Sequence, residues 1–165
     1  MASLRKLPLL SATLLVPLLA HAATKTTTIQ VSVTIVGECT VLTADALNFG
    51  GNVSASFVSP INAQSNLEVT CAANTPYWIT LDGGANKGGS VINRRLKSGD
   101  TLLDYGLYTD SARSTPWGDG TAGAKVSGVG SGQPQTIPVY GQLMKPDAVP
   151  APGSYFDSVV VTVTY

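Results

Sequence analysis

Two stretches, Leu67-Glu68-Val69-Thr70-Cys71 and Tyr77-Trp78-Ile79-Thr80-Leu81-Asp82, carry an apolar residue at every second position. Successive side chains of a strand point to opposite faces, so each stretch predicts a β-strand with one buried face. Leu67, Val69 and Cys71 share one face of the first; Tyr77, Ile79 and Leu81 share one face of the second. The same period recurs in Leu103, Tyr105 and Leu107, and in Ile137, Val139 and Gly141. It closes the chain from Tyr155 to Tyr165, where Val159, Val161, Val163 and Tyr165 lie opposite Val160, Thr162 and Thr164. No window of a dozen residues repeats at 3.6 without Gly, Pro or β-branched interruptions, so the class is all-β.

Turn-formers separate these strands at Asp82-Gly83-Gly84, Ser98-Gly99-Asp100, Trp117 to Gly120, Ser127 to Gly132 and Pro146 to Gly153. Roughly seven short strands at this spacing suit one immunoglobulin-like β-sandwich. The 165 residues carry 10 basic and 10 acidic side chains with no basic run. A nucleic-acid binder would need a cationic stripe to displace counterions from phosphate, and this chain has none.

Residues 1–22 read as a secretory signal peptide. Arg5 and Lys6 precede an uncharged run from Leu7 to Leu19, which ends in Ala20-His21-Ala22. The run is too short to span a membrane, and small residues suit cleavage before Ala23. The 143 residues that follow hold 8 basic and 10 acidic groups and no histidine. Imidazole-based nucleophilic catalysis and histidine metal sites are thereby excluded, so the reading is of a protein that is not an enzyme and takes no cofactor or metal. Asp82, Asp100, Asp104, Asp110, Asp119 and Asp157 mostly neighbour Gly, Ser or Thr. Such aspartates close turns with their own side chains.

Cys39 and Cys71 are the two cysteines. In an exported chain an even pair favours one disulfide over two free thiols. Gly118, Gly120 and Gly123 match the spacing of a dinucleotide-binding loop, but no helix follows, and the match reads as a turn. Asn52-Val53-Ser54 fits a glycosylation acceptor only in a eukaryotic secretory host. Trp117, beside Gly118 in a turn, is the best candidate for an exposed sugar-stacking aromatic.

Both ends of the mature chain are unusual. Ile29, Val31, Val33 and Ile35 alternate with Gln30, Ser32, Thr34 and Val36 ahead of Gly37, as either an ordinary first strand or a spare strand for a neighbour. The last strand, uncharged from Val159 to Tyr165, would aggregate if its edge stayed open, so a partner strand is expected to cover it.

Several residue groups follow one another along the chain: Leu47, Phe49 and Gly50; Leu67, Val69 and Cys71; Tyr77, Ile79 and Leu81 with Gly83 and Gly84; and Arg95 and Leu96. Tyr105, Leu107, Tyr108 and Asp110 come next, then Trp117 and Gly118; Val139, Tyr140 and Gly141; and Gly153, Tyr155 and Asp157 before the closing Val-Thr-Val-Thr-Tyr. Taken in this order, they resemble the spore coat protein U domain family, which includes archaic Csu-type chaperone-usher pilus subunits.

The resemblance implies an incomplete immunoglobulin-like sandwich at 37–165, completed by a donated strand. It implies that residues 23–36 are a donor extension, with Ile29, Val31, Val33 and Ile35 entering a neighbour's groove. It further implies that Val159, Val161, Val163 and Tyr165 form the chaperone-pairing and acceptor edge, and it matches Cys39 and Cys71 to the family's disulfide. The implied partners are identical or related pilus subunits joined head to tail, a periplasmic chaperone and an outer-membrane usher, with no nucleic acid and no membrane span. The implied route is export through the periplasm to the cell surface, for surface attachment and biofilm. A mature chain of this length leaves no room for a second receptor-binding domain, so a shaft or adaptor subunit is expected. The alternative is a discrete secreted coat-matrix or carbohydrate-binding sandwich that completes itself with its own N-terminal strand.

Overall fold

A computed structural model describes residues 24–86 and 88–165; the expected signal peptide lies outside the described residues. The chain divides after Thr34 into two units. In the first, residues 24–34 adopt neither helix nor strand. The second, Ile35–Tyr165, carries eight strands.

These are β1 (Cys39–Ala44), β2 (Ile61–Cys71), β3 (Pro76–Leu81), β4 (Arg94–Ser98), β5 (Thr101–Tyr108), β6 (Val126–Val129), β7 (Gln135–Leu143) and β8 (Val161–Thr164). They form a five-stranded sheet in the order β1-β2-β7-β5-β4 and a three-stranded sheet in the order β6-β3-β8. Every ladder is antiparallel. The described residues contain no helix long and apolar enough to cross a membrane.

The alternation in the sequence becomes the core. Leu67, Val69 and Cys71 of β2 are buried, as are Tyr77, Ile79 and Leu81 of β3. Leu103, Tyr105 and Leu107 of β5 and Val139 and Leu143 of β7 complete the packing between the sheets. The cysteines form a disulfide between the first residue of β1 and its cross-strand partner, the last residue of β2. Pro138 is tolerated in β7 because the β5 ladder ends at Tyr140, so beyond that point β7 pairs with β2 alone.

The topology is of the immunoglobulin type. In that fold the first, second, fifth and fourth strands make one sheet, and the third, sixth and seventh make the other. Here β1-β2-β7-β5 reproduces the first sheet, with β4 added at its edge, and β3 and β8 take the third and sixth positions beside the extra β6. The seventh position would lie along the other edge of β8. Among the described residues no strand occupies it.

Two expectations need correction. The closing run is not one strand from Tyr155 to Tyr165. Phe156 bridges Lys97 at the β4 edge, whereas Val161 to Thr164 pair with β3, so the run crosses from one sheet to the other between them. Asp157 accounts for the break: its Oδ1 accepts the backbone N–H groups of Ala85, Asn86 and Ser158 at 2.9, 3.3 and 2.9 Å. Trp117 is not an exposed platform, because it has no solvent access. Its backbone N–H donates to the Leu107 carbonyl at 2.8 Å and its indole N–H to the Ile79 carbonyl at 3.0 Å, which fold the loop into the core.

The glycine-rich loop is a tight turn around Asp119. The Asp119 carboxylate accepts the N–H groups of Thr121 and Ala122 at 2.8 and 2.7 Å, and Gly123 sits at φ 77°. A side chain at Gly118 would collide with the Ala122 carbonyl. The glycines therefore serve a turn and not a phosphate site.

Candidate functional site

A strand edge is chemically unsaturated, because each residue presents backbone donors and acceptors that need a partner. The β8 edge away from β3 is such an edge among the described residues. Beside it lies a cavity of about 250 Å³ between the two sheets. Leu47 and Phe49, which follow β1, make one wall, and Val159 and Val161 make the other. Leu67, Leu81, Leu107 and Val139 line it from the core. Its surface is thus mainly apolar, with Asp45, Ser65, Tyr105 and Asp157 its polar members, and suits alternate side chains of an extended strand.

Local features hold these walls in place. Leu47 and Phe49 lie flat on the first sheet because Gly141 has no side chain; a Cβ there would stand 2.7 Å from Leu47 Cδ2 and 3.1 Å from Phe49 Cζ. The Phe49 ring meets Tyr105 edge to face, with centroids 6.0 Å apart. Val159, Val161 and Val163 are half-buried and pack against the core, with Val161 and Val163 opposite Leu81 and Ile79 of β3. Tyr165, on the same face by period, is exposed.

The other residues singled out from the sequence are placed differently. Ile29, Val31, Val33 and Ile35 are 84%, 93%, 84% and 87% exposed and belong to no strand. Such a row of solvated branched side chains is costly unless something covers it.

A polar network at the end of the cavity was not legible from the sequence. The Tyr105 hydroxyl donates to Asp157 Oδ2 at 2.7 Å, and both residues line the cavity. Burial first, and then the Asp157 carboxylate, push the Tyr105 phenol far above its usual 10.0, so it remains a donor. Its cross-strand partner Arg94 has no solvent access. The Arg94 guanidinium donates to the carbonyls of Asp82 at 2.7 Å, Trp117 at 2.9 Å and Leu81 at 3.4 Å, while Nη1 has no partner. Burial lowers its pKa, opposed by Tyr105, Asp82 and Asp157. Arg94 sits in the run Asn93-Arg94-Arg95-Leu96-Lys97, whose composition reads as solvated surface.

Most of the aspartates singled out from the sequence have structural partners. Asp82 Oδ1 accepts the N–H groups of Gly84 and Val160 at 3.0 and 2.9 Å, and Asp110 accepts those of Ser114 and Thr115. Asp104 pairs with Arg95 at 3.0 Å on a partly exposed face. Among the described residues no group of three or more His, Cys, Asp or Glu is placed to hold a metal.

An apolar seam beside a sixth strand paired on one edge only defines a class: immunoglobulin-like sandwiches with the seventh-strand position open. The chain belongs to the Spore Coat Protein U domain family, whose model matches residues 25–162. Among solved structures it is similar to the CsuC-CsuE chaperone-tip adhesion subunit pre-assembly complex from the archaic chaperone-usher Csu pili of Acinetobacter baumannii. That likeness has 29% identity and a TM-score of 0.57, over 80% of this chain. The chain spans 40% of the length of that relative. A second likeness, of fold alone, is to the P pilus rod subunit PapA, at 17% identity and a TM-score of 0.50, over 77% of this chain and 98% of that one. No curated protein matches the chain in sequence.

Proposed function

We propose that this chain is a structural subunit of a secreted chaperone-usher pilus, which polymerises when one subunit donates its N-terminal strand to the groove of the next. The open edge of β8 beside the apolar cavity carries this reading. Residues 23–36 are the donor extension, and Ile29, Val31, Val33 and Ile35 are the side chains that enter the neighbour's groove. Val159, Val161 and Val163 form one wall of that groove, and the edge running to Tyr165 supplies the backbone hydrogen bonds. A periplasmic chaperone covers the same edge before assembly, and an outer-membrane usher exports the growing fibre to the cell surface, where it serves attachment and biofilm. The likeness to a subunit crystallised with its chaperone supports these partners.

The energetics suit such a mechanism. Burying four branched side chains at roughly 1.5–3 kcal/mol each contributes on the order of 6–12 kcal/mol before ordering entropy is charged against it. Whole domains are stable by only about 5–15 kcal/mol, so acceptance of the strand and folding of the acceptor are strongly coupled. A head-to-tail contact that does not close on itself generates an open filament.

The test is gel electrophoresis of the exported protein in SDS without boiling, beside a variant lacking residues 24–35. A ladder that collapses on heating, and that the deletion abolishes, is the expected result. Monomer alone from the full chain, with the deletion variant misfolded, would mean that the strand completes its own domain and that the protein is a discrete coat or binding module.

A further inference from the structure

The segment between Phe156 and Val161 leaves one sheet and joins the other; it is held at one end by β4 and Tyr105 of β5 and at the other by Asp82, which follows β3. Phe156 exchanges both backbone bonds with Lys97, at 3.0 and 3.1 Å. One residue on, the Asp157 carboxylate is fixed by the Tyr105 hydroxyl. At the far end the Val160 N–H donates to Asp82 Oδ1 at 2.9 Å, and its carbonyl accepts the Asp82 N–H at 3.1 Å. The Asp82 carbonyl in turn receives Arg94 Nε. Arg94 and Tyr105 stand directly opposite each other in the ladder, so one cross-strand pair touches the crossing directly through Tyr105 and braces its far end through Asp82.

We propose that Arg94 and Tyr105 act as a clamp that positions the crossing segment Asp157–Val160, and through it holds the β8 edge and the Val159–Val161 wall in register for an incoming strand. They are positioning residues. A buried guanidinium with an unpartnered nitrogen is an expensive way to stabilise a core, since an apolar residue of similar volume would avoid the desolvation. It is well suited, however, to forking between carbonyls on separate segments. The phenol does the same on the other side by holding one carboxylate oxygen, while the other oxygen gathers backbone N–H groups. Without the clamp the crossing would keep its backbone bonds, the Asp82 carboxylate on the Val160 N–H and the Asn86 amide on the Phe156 carbonyl and Asp157 Oδ1, but would lose the ties that fix Asp157 Oδ2 and the Asp82 carbonyl. The β8 ladder to β3, four residues long, would then open more often.

The purpose assigned to this clamp rests on the strand-acceptance reading, so the test separates the two. Amide hydrogen exchange is followed in the exported full-length protein, comparing Asp157–Thr164 with Leu67–Cys71, in wild type, Tyr105→Phe and Arg94→Lys. Tyr105→Phe removes one oxygen and keeps the ring; Arg94→Lys keeps the charge and loses the fork. Exchange faster by about tenfold or more, confined to the crossing and β8, is expected for both. Unchanged exchange overturns the clamp, and so does a uniform rise across Leu67–Cys71, which would mark ordinary core packing. The unboiled ladder is run on the same variants: localised loosening with fewer or shorter polymers supports the full proposal, whereas localised loosening with a normal ladder overturns its role in strand acceptance. A wild type with no ladder defeats the strand-acceptance reading, while the exchange pattern still judges the clamp.

Discussion

The indole of Trp117 donates to the carbonyl of Ile79 across 3.0 Å at a point with no solvent access, so a loop side chain ties off the middle strand of the smaller sheet. Trp117→Ala leaves a large void and an orphaned carbonyl, and is expected to cost about 3–5 kcal/mol. Trp117→Phe fills most of the space but loses the donor, for about 1–3 kcal/mol. Urea denaturation of the exported protein checks both, and a change below about 1 kcal/mol for Trp117→Ala would contradict the packing described.

Reduction, or Cys39→Ser with Cys71→Ser, opens a loop with a sequence separation of 32. The chain-entropy model expects a loss of roughly 3–4 kcal/mol. Because the bond joins the first residue of β1 to the last of β2, the denaturation midpoint should fall without a change of fold by circular dichroism. An unaltered midpoint after complete reduction would show that the disulfide is dispensable.

Donation and acceptance are separable by mutation. Val33→Asp places a charge in the exposed N-terminal row, and Val161→Asp places one in the groove wall. Each variant alone should fail to polymerise, since burying an unpaired carboxylate costs several kcal/mol. Mixed, they should give heterodimers that extend no further, because one retains a working donor and the other a working groove. Normal ladders from Val33→Asp alone would show that Ile29 to Ile35 is not the donor.

Stability should fall in acid partly through two exposed aspartates. Backbone N–H bonds, from Ser114 and Thr115 to Asp110 and from Ala122 and Thr121 to Asp119, hold both carboxyls below their usual 3.8. A depressed folded-state pKa stabilises fully above the unfolded value and is lost as the pH falls below it through the folded value. Thermal midpoints measured from pH 6 to pH 2 should therefore decline more shallowly below about pH 4 in an Asp110→Asn, Asp119→Asn variant. Equal slopes would mean that these turns carry no pH-dependent stability.

Much of the scaffold was legible because strand periodicity is a local property. Alternation at 67–71, 77–81, 103–107 and 137–141 marks the inner faces of β2, β3, β5 and β7, and these supply nearly all the buried core. The count of cysteines in an exported chain likewise predicts the disulfide between Cys39 and Cys71. Short strands with mixed composition were not legible. β1, β4 and β6 have weak patterns, and their pairing depends on neighbours distant in sequence.

Sequence by itself determined the class, the inner faces and an apolar row, Ile29 to Ile35, ahead of the domain. Only the tertiary structure decided which sheet each part of the closing run would join, because Asp157 and Asp82 are held by Ala85, Tyr105 and Val160, tens of residues away along the chain. It also decided that Trp117 and Arg94 are interior. A tryptophan among glycines and an arginine in a charged run read locally as surface, and what buries them is a set of carbonyls, Ile79, Leu81 and Asp82, that converge only when the two sheets stack. Periodicity records which face of a strand is wet; it carries no information about where two sheets leave an edge unpaired. That is a property of strand order, set by long-range hydrogen bonding, and in this protein it leaves β8 open beside an apolar seam.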